Sequence, residues 1–373
     1  MVISIMKKML KNAEYSVMVI AIFLTILGIF GIYSAGYNTL DTTEYQKQIL
    51  WACVGLVTMV ITWCINVDIY KPIAYVAFSF CIILLIGVLF TTPINNATSW
   101  YNIGGFNFQP SEITKIVYIL ALATFIDRIT KKDKNAINKW YNILIILALF
   151  FVPFILILMQ PDLGTAIVFL VITFFMLFRA GLSYKYILAI FLFVLIALPL
   201  AYFFVLSPYQ QNRIKVFLNP DSDPLNTGYN AIQSRIAIGG GKLFGMGFLN
   251  GTQSQFGYLP VKSSDFIYSL LSEEFGFACS VLIVIAYCIM IIRIFHVAKT
   301  ASNNFSSYIA TGIAAMFFFH MVENIGMTMG LLPITGIPLL FVSYGGTSMI
   351  TSFISLGIIL SISSRRKKAL FVD

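Results

Sequence analysis

Apolar runs of near-bilayer length recur along the whole chain, at approximately 15–34, 48–65, 72–91, 111–127, 140–159, 163–179, 186–206, 265–292, 306–323 and 344–362. A bilayer's hydrocarbon core is about 30 Å thick, and a helix of roughly 20 apolar residues spans it. Lipid offers no hydrogen bonds, so a spanning segment must pair its own backbone groups, which a helix does. The runs therefore predict an all-α polytopic membrane protein of about ten transmembrane helices. The composition agrees: 59% of residues are hydrophobic, against about 45–50% apolar in a soluble domain. The whole of 1–373 reads as a single transmembrane domain, and the longest connection, 207–264, as a large extracellular loop between spans seven and eight.

The formal net charge is +9, and its distribution decides its meaning. Of the 24 Lys and Arg residues, 17 fall on one side of the predicted spans. Cytoplasmic loops carry such an excess. The basic balance is thus a topology signal rather than a nucleic-acid signal, and it favours contact with anionic inner-leaflet lipid. An even number of spans puts both termini in the cytoplasm, in keeping with the basic stretch RRKK at 365–368. The basic N-terminus leads straight into an apolar run and reads as a retained first span. The five cysteines have no CxxC spacing, so neither a disulfide nor a metal site is expected from them.

The outward connections hold most of the unusual sequence. Residues 92–110 are polar and aromatic with glycines, and 207–264 are rich in Asn, Gln, Gly and Pro. Loops of that length are uncommon and usually functional. Residues 324–347 are apolar, yet Gly and Pro interrupt them. Broken backbone at membrane depth is tolerated where protein buries it or where it lines a wet cavity. These three segments and the QPDLGT turn at 160–165 are expected to roof one cavity.

Asp265 opens the segment SDFIYSLLSEEFGF. One reading is a helix cap, since Ser and Asp satisfy free N–H groups there. The other is a carboxylate at the outer interface, desolvated enough to act as a base. Glu273 and Glu274 follow inside the apolar run, where acids are costly and are paired or functional. At 100° per residue, Glu273 comes back to within about 80° of the face of Asp265 and Glu274 points away. Glu112 and Lys115 have the i, i+3 spacing of an intrahelical ion pair, which either is structural or presents an ammonium to a phosphate. Gln109 and Ser111 flank the same helix start, and Asp162 has the setting of a turn or cap. Arg213, Lys215, Arg235, Lys242 and Lys262 are basic residues on the outer side, against the charge rule, and favour an anionic ligand or a solvated surface helix. The two histidines, His296 and His320, are assigned no role.

Five stretches together resemble the SEDS family of peptidoglycan polymerases, the family of RodA, FtsW and SpoVE. They are FQPSEITK at 108–115, QPDLGTA at 160–166, DPLNTGYNAIQSRIAIGGGKLFGMGFLNGTQ at 223–253, SDFIYSLLSEEFGF at 264–277 and NIGMTMGLLPITGIPLLFVSYGGTSM at 324–349. The resemblance covers nearly the whole chain, and the wording PITGIP and GTQ leans toward RodA. It implies polymerisation of lipid II into glycan strands at the outer face of a bacterial plasma membrane. It also implies Asp265 as the catalytic aspartate, acting directly or with a divalent cation (Mg or Mn), and a class B penicillin-binding protein as partner. Gln109, Ser111, Glu112, Lys115, Asp162, Glu273 and Glu274 fall on the family's polar positions, and Arg213, Arg235 and Lys262 join them as substrate-binding or cavity residues. Two departures stand out. Many members read P-E-x-H-T-D-F where this chain has Pro260-Val261-Lys262-Ser263-Ser264-Asp265-Phe266, and many carry an Arg where Ser99 precedes Trp100. A lipid II flippase and an inert scaffold are the competing readings. A transporter places its polar groups near the midplane, whereas most of those here cluster outside.

Overall fold

The structure is a computed structural model in which residues 12–38, 43–92, 98–104, 106–204, 206–223 and 227–366 are described. The helices in chain order are α1 (Tyr15–Tyr37), α2 (Thr43–Cys64), α3 (Tyr70–Val88), α4 (Pro110–Lys132), α5 (Trp140–Leu158), α6 (Leu163–Arg179), α7 (Tyr184–Phe204), α8 (Pro208–Leu218), α9 (Thr227–Gly240), α10 (Thr252–Gln255), α11 (Ile267–Thr300), α12 (Asn304–Met329) and α13 (Gly346–Ser364). Each of the ten apolar runs in the sequence coincides with one of the long helices. Among the described residues, seven of these helices are long and apolar enough to cross a membrane, and α6 is apolar but only 17 residues long. α4 does not read as lipid-like because it carries charge, yet Glu112, Lys115 and Asp127 on it are buried by protein.

The helices divide by what surrounds them. In α12 and α13, 83% of the apolar stretch is buried inside the protein, against 22–39% in the other apolar spans. These two form the centre, with α4 and α6 against α12, and α2 along α13. The buried residues of α12 include Ser306, Ser307, Ala310, Ala314 and Ala315. Small side chains let helix backbones approach closely where no hydrophobic gain drives association. On the periphery, Val76, Phe80 and Ile83 of α3 remain exposed, as a lipid-facing surface requires.

Three connections depart from what the sequence predicts. Two short strands, β1 (Tyr101–Ile103) and β2 (Phe106–Phe108), pair antiparallel. Phe106 packs on Trp51 with centroids 4.5 Å apart. The long connection is not structureless, since it contains α8, α9 and α10. α12 runs on to Met329 before the chain breaks, so the irregular backbone starts at Gly330 rather than at 324.

α11 is broken too, where an uninterrupted helix was predicted. Gly276 has φ 78° and ψ −173° inside it, a backbone that side chains with a Cβ rarely adopt. The break frees backbone groups, and residues 242–247 pair with them. Met246 and Gly247 donate to the carbonyls of Glu273 and Glu274 at 2.9 and 3.0 Å, while Phe277 and Ala278 donate to those of Lys242 and Leu243 at 2.9 and 3.1 Å. Protein, not lipid, satisfies the broken helix.

Candidate functional site at the head of α11

Asp265 lies in the turn just before α11 and is held through its backbone. Asn324 donates to its carbonyl at 3.1 Å, Ser343 Oγ donates to the carbonyl of Ser264 at 2.7 Å, and Tyr344 N to that of Ser263 at 2.9 Å. The same Asn324 amide donates to Ile337 O at 2.9 Å. The irregular 330–345 segment and the Asp265 turn are therefore fastened to each other. The N-cap of α11 is Phe266, with no side-chain cap bond, so the cap reading of Asp265 is not realised. Its carboxylate, partly exposed, sits beside Gly336, where an added Cβ would lie 3.3 Å from Oδ2. Gly336 has φ 81°, so the turn can pass this close only with glycine. Burial raises the pKa of Asp265; the charge of Arg213 and a bond from Ser264 oppose the rise, and Asp162 adds to it.

Asp162 does cap its helix: its carboxylate accepts from Thr165 N at 3.0 Å at the start of α6. The other oxygen accepts from Gln109 Nε2 at 3.2 Å, which ties the start of α4 to the start of α6. Gln109 N donates in turn to Thr347 Oγ1 at 3.3 Å on α13. Ser111 is fully buried, with no partner for its hydroxyl among the described residues. Glu112 and Lys115 form the expected pair, 2.8 Å apart. Lys115 also meets His320 Nε2 at 2.9 Å, and His320 Nδ1 meets Pro338 O at 2.9 Å. Since a carbonyl only accepts, Nδ1 carries the proton and Nε2 accepts from the ammonium. Lys115 is 1% exposed. The reading in which it offers its ammonium to a phosphate is therefore corrected: the charge is consumed in fastening α4 to α12 and to the broken segment.

Arg213, on α8, donates from Nη1 to Thr335 O at 2.7 Å. It lines a shallow groove with Arg235, Phe217, Met327, Leu332 and Ile334. Two guanidinium groups over an apolar floor suit an amphiphile with an anionic head. Of the sequence-predicted residues, the fold thus gathers Asp265, Asp162, Gln109 and Arg213 around the 335–337 turn, with the Glu112–Lys115 pair behind it.

Glu273, Glu274 and Lys262 lie elsewhere, and the expectation that Glu273 shares a cavity with Asp265 is corrected. Glu273 is fully buried and accepts from Gln253 N at 2.6 Å, Ser254 N at 2.9 Å and Thr252 Oγ1 at 3.3 Å. It is the anion at the start of α10. Glu274 accepts from Ser34 Oγ and from Gln255 Nε2 at 3.0 Å. Lys262 donates to Ser254 O; burial lowers its pKa, and the two glutamates oppose that fall. This trio anchors the 251–255 turn to α11 and α1. The helical wheel misplaced Glu273 because residue 265 precedes the first helical residue, so the 100° step does not reach it.

Sequence reasoning passed over Glu323, Asn324, Thr335 and Gly336. The signal was present: an acid within an apolar helix is costly and marks a pairing or a site, and Glu323 stands one residue before the stretch 324–347 that Gly and Pro interrupt. Among the described residues no group of three or more His, Cys, Asp or Glu side chains converges as metal ligands.

Comparison with known proteins agrees with this architecture. The chain is 35% identical to the peptidoglycan glycosyltransferase RodA of Treponema pallidum, over 95% of this chain and 98% of that one. It is 37% identical to the peptidoglycan glycosyltransferase MrdB of Escherichia coli K12, over 95% of each, and 35% identical to the stage V sporulation protein E of Bacillus subtilis, over 94% and 97%. Its fold matches a chain of a peptidoglycan synthase complex that coordinates polymerization and crosslinking, with a TM-score of 0.80 at 26% identity, covering 95% and 99%. It matches Thermus thermophilus RodA with a TM-score of 0.71 at 24% identity, covering 95% and 98%. The cell cycle protein family model of FtsW, RodA and SpoVE matches residues 14–368, and this multi-pass membrane protein belongs to that family.

Proposed function

We propose that this chain is a peptidoglycan glycosyltransferase that polymerises lipid II at the outer face of the plasma membrane, with Asp265 as general base. The observation that carries the reading is the setting of Asp265. It is a partly exposed carboxylate, free of any capping duty, raised in pKa by burial and flanked by an arginine that opens onto an apolar groove. In the reaction, Asp265 takes the proton of the acceptor sugar hydroxyl. That oxygen bonds to C1 of the donor sugar as the bond from C1 to the pyrophosphate oxygen breaks, with inversion. Arg213 and Arg235 hold the departing pyrophosphate, which stabilises charge that grows in the transition state. The groove's apolar floor takes the first part of the lipid chain. Both termini then lie in the cytoplasm, as the basic loops require. The named relatives catalyse peptidoglycan glycosyl transfer, and the structural relative works within a synthase complex. By that likeness the partner here is a class B penicillin-binding protein that crosslinks the strands.

The test is glycan polymerisation from lipid II by the purified chain with its partner, comparing wild type with Asp265→Ala and Asp265→Asn. A general base contributes about 10²–10⁴-fold, so both variants should lose at least about 100-fold while keeping a wild-type thermal midpoint or better. Normal polymerisation by folded variants would remove Asp265 from the chemistry. Wild type that makes no polymer but moves lipid II across liposomes would replace the reading with a flippase.

A further inference from the structure

Glu323 is unused by the chemistry above, yet its contacts lead to both Arg213 and Asp265. It lies on α12, 3% exposed. One carboxylate oxygen accepts from Thr335 Oγ1, and the other is buried with no partner among the described residues. Thr335 in turn gives its carbonyl to Arg213 at 2.7 Å. The next residue, Gly336, is the one against which the Asp265 carboxylate rests. Asn324, the neighbour of Glu323, holds the carbonyls of Asp265 and Ile337 at 3.1 and 2.9 Å. Two consecutive residues of one central helix therefore grip both sides of the 335–337 turn. Glu323 also lies close enough to Asp265 and Arg213 for both charges to act on it.

We propose that Glu323 is a positioning residue for the Asp265 site: it fixes the turn that meets Arg213 on one side and the Asp265 carboxylate on the other. The inference rests on the polymerase reading. Thr335 is oriented by Glu323, so its carbonyl is aimed at Arg213, and the guanidinium stays between groove and base. The charged and titratable groups facing this cluster are Asp265 ahead of α11, Arg213 on α8, Asp162 ahead of α6, and the Lys115–Glu112 pair on α4 with His320 on α12. Arg213 favours the ionised form of Asp265, and Asp162 opposes it.

The test is the split between KM and kcat for lipid II polymerisation by the full chain with its partner, for wild type, Glu323→Ala, Glu323→Gln and Thr335→Val. Glu323→Ala and Thr335→Val should each raise KM several-fold with a smaller change in kcat, because Arg213 loses its aim, and the double variant should be no worse than the poorer single one. Glu323→Gln keeps an acceptor for the Thr335 hydroxyl and should restore most of the wild-type KM. A Glu323→Ala or Thr335→Val enzyme with wild-type KM, or a Glu323→Gln enzyme as impaired as Glu323→Ala, overturns the positioning role. If wild type itself makes no polymer, the polymerase reading has failed instead, and that outcome is told apart by its own control.

Discussion

Asp265 and Glu273 are eight residues apart, acids of the same apolar segment, and the fold treats them oppositely. Glu273 is fully buried and takes three hydrogen bonds from residues 252–254. Asp265 is less deeply placed, yet its carboxylate serves no cap and stands near other acids. Depth alone would rank Glu273 as the more suspicious residue, because a charge costs more the farther it sits from water. The donors reverse that ranking. A carboxylate already holding three donors has little capacity left for a substrate. One left beside other acids, and only partly offset by the charge of Arg213 and a bond from Ser264, carries a cost that the fold accepts where chemistry needs it.

The comparison can be broken most decisively at Glu273. Glu273→Ala leaves two backbone N–H groups and a hydroxyl without their acceptor at the foot of α10. Leaving a buried donor unsatisfied costs about 1–3 kcal/mol. We expect a fall in thermal midpoint in detergent and early proteolysis within 242–255. A variant with wild-type stability that loses only polymerisation would show that Glu273 belongs with Asp265 after all. Gly276→Ala strikes the same anchor from the other side. Its Cβ would lie 2.2 Å from Gly245 N, and its positive φ adds strain, together about 2–4 kcal/mol. The midpoint should again fall, and hydrogen exchange should rise at Met246 and Gly247, whose amides pair with α11. Unchanged exchange there would mean that the loop does not depend on the break.

How far these roles were legible follows from the range over which each contact acts. The helices were readable because the length of an apolar run is a local property. The Glu112–Lys115 pair was readable because i, i+3 partners lie on one helix, and the Asp162 cap because its partner Thr165 is three residues away. His320 as the third member with Lys115 was not, since that contact joins residues 205 apart in sequence. The role of Glu273 escaped for the same reason: its donors sit on a turn that reaches α11 only once the helix breaks. Gly276 was a lone glycine in an apolar run, and nothing local says whether such a glycine is packed or bent. Asp265 was identified by family resemblance more than by physics, because its local sequence fits a cap equally well.

The smallest effect sharpens the comparison at Asp265 itself. Burial raises its pKa in the folded chain, so the native state binds a proton more tightly than the unfolded chain does. Stability contributed by this group is full below the unfolded value and is lost as pH rises through the raised folded value. Ionised Asp265 is therefore a strain that wild type carries at neutral pH and that Asp265→Asn does not. The variant should be the more stable protein there, by about 1 kcal/mol, although it is inactive. The gap in thermal midpoint between variant and wild type should be narrow at about pH 4, near the unfolded value of an aspartate. It should widen as pH rises and then level off. Glu273→Gln should be less stable than wild type across that range, because its amide presents one acceptor where a carboxylate presented two to the 252–254 donors. If Asp265→Asn were instead destabilising at every pH, the two acids would be doing the same structural work, and the difference between the head of α11 and its break would lie in the chemistry alone.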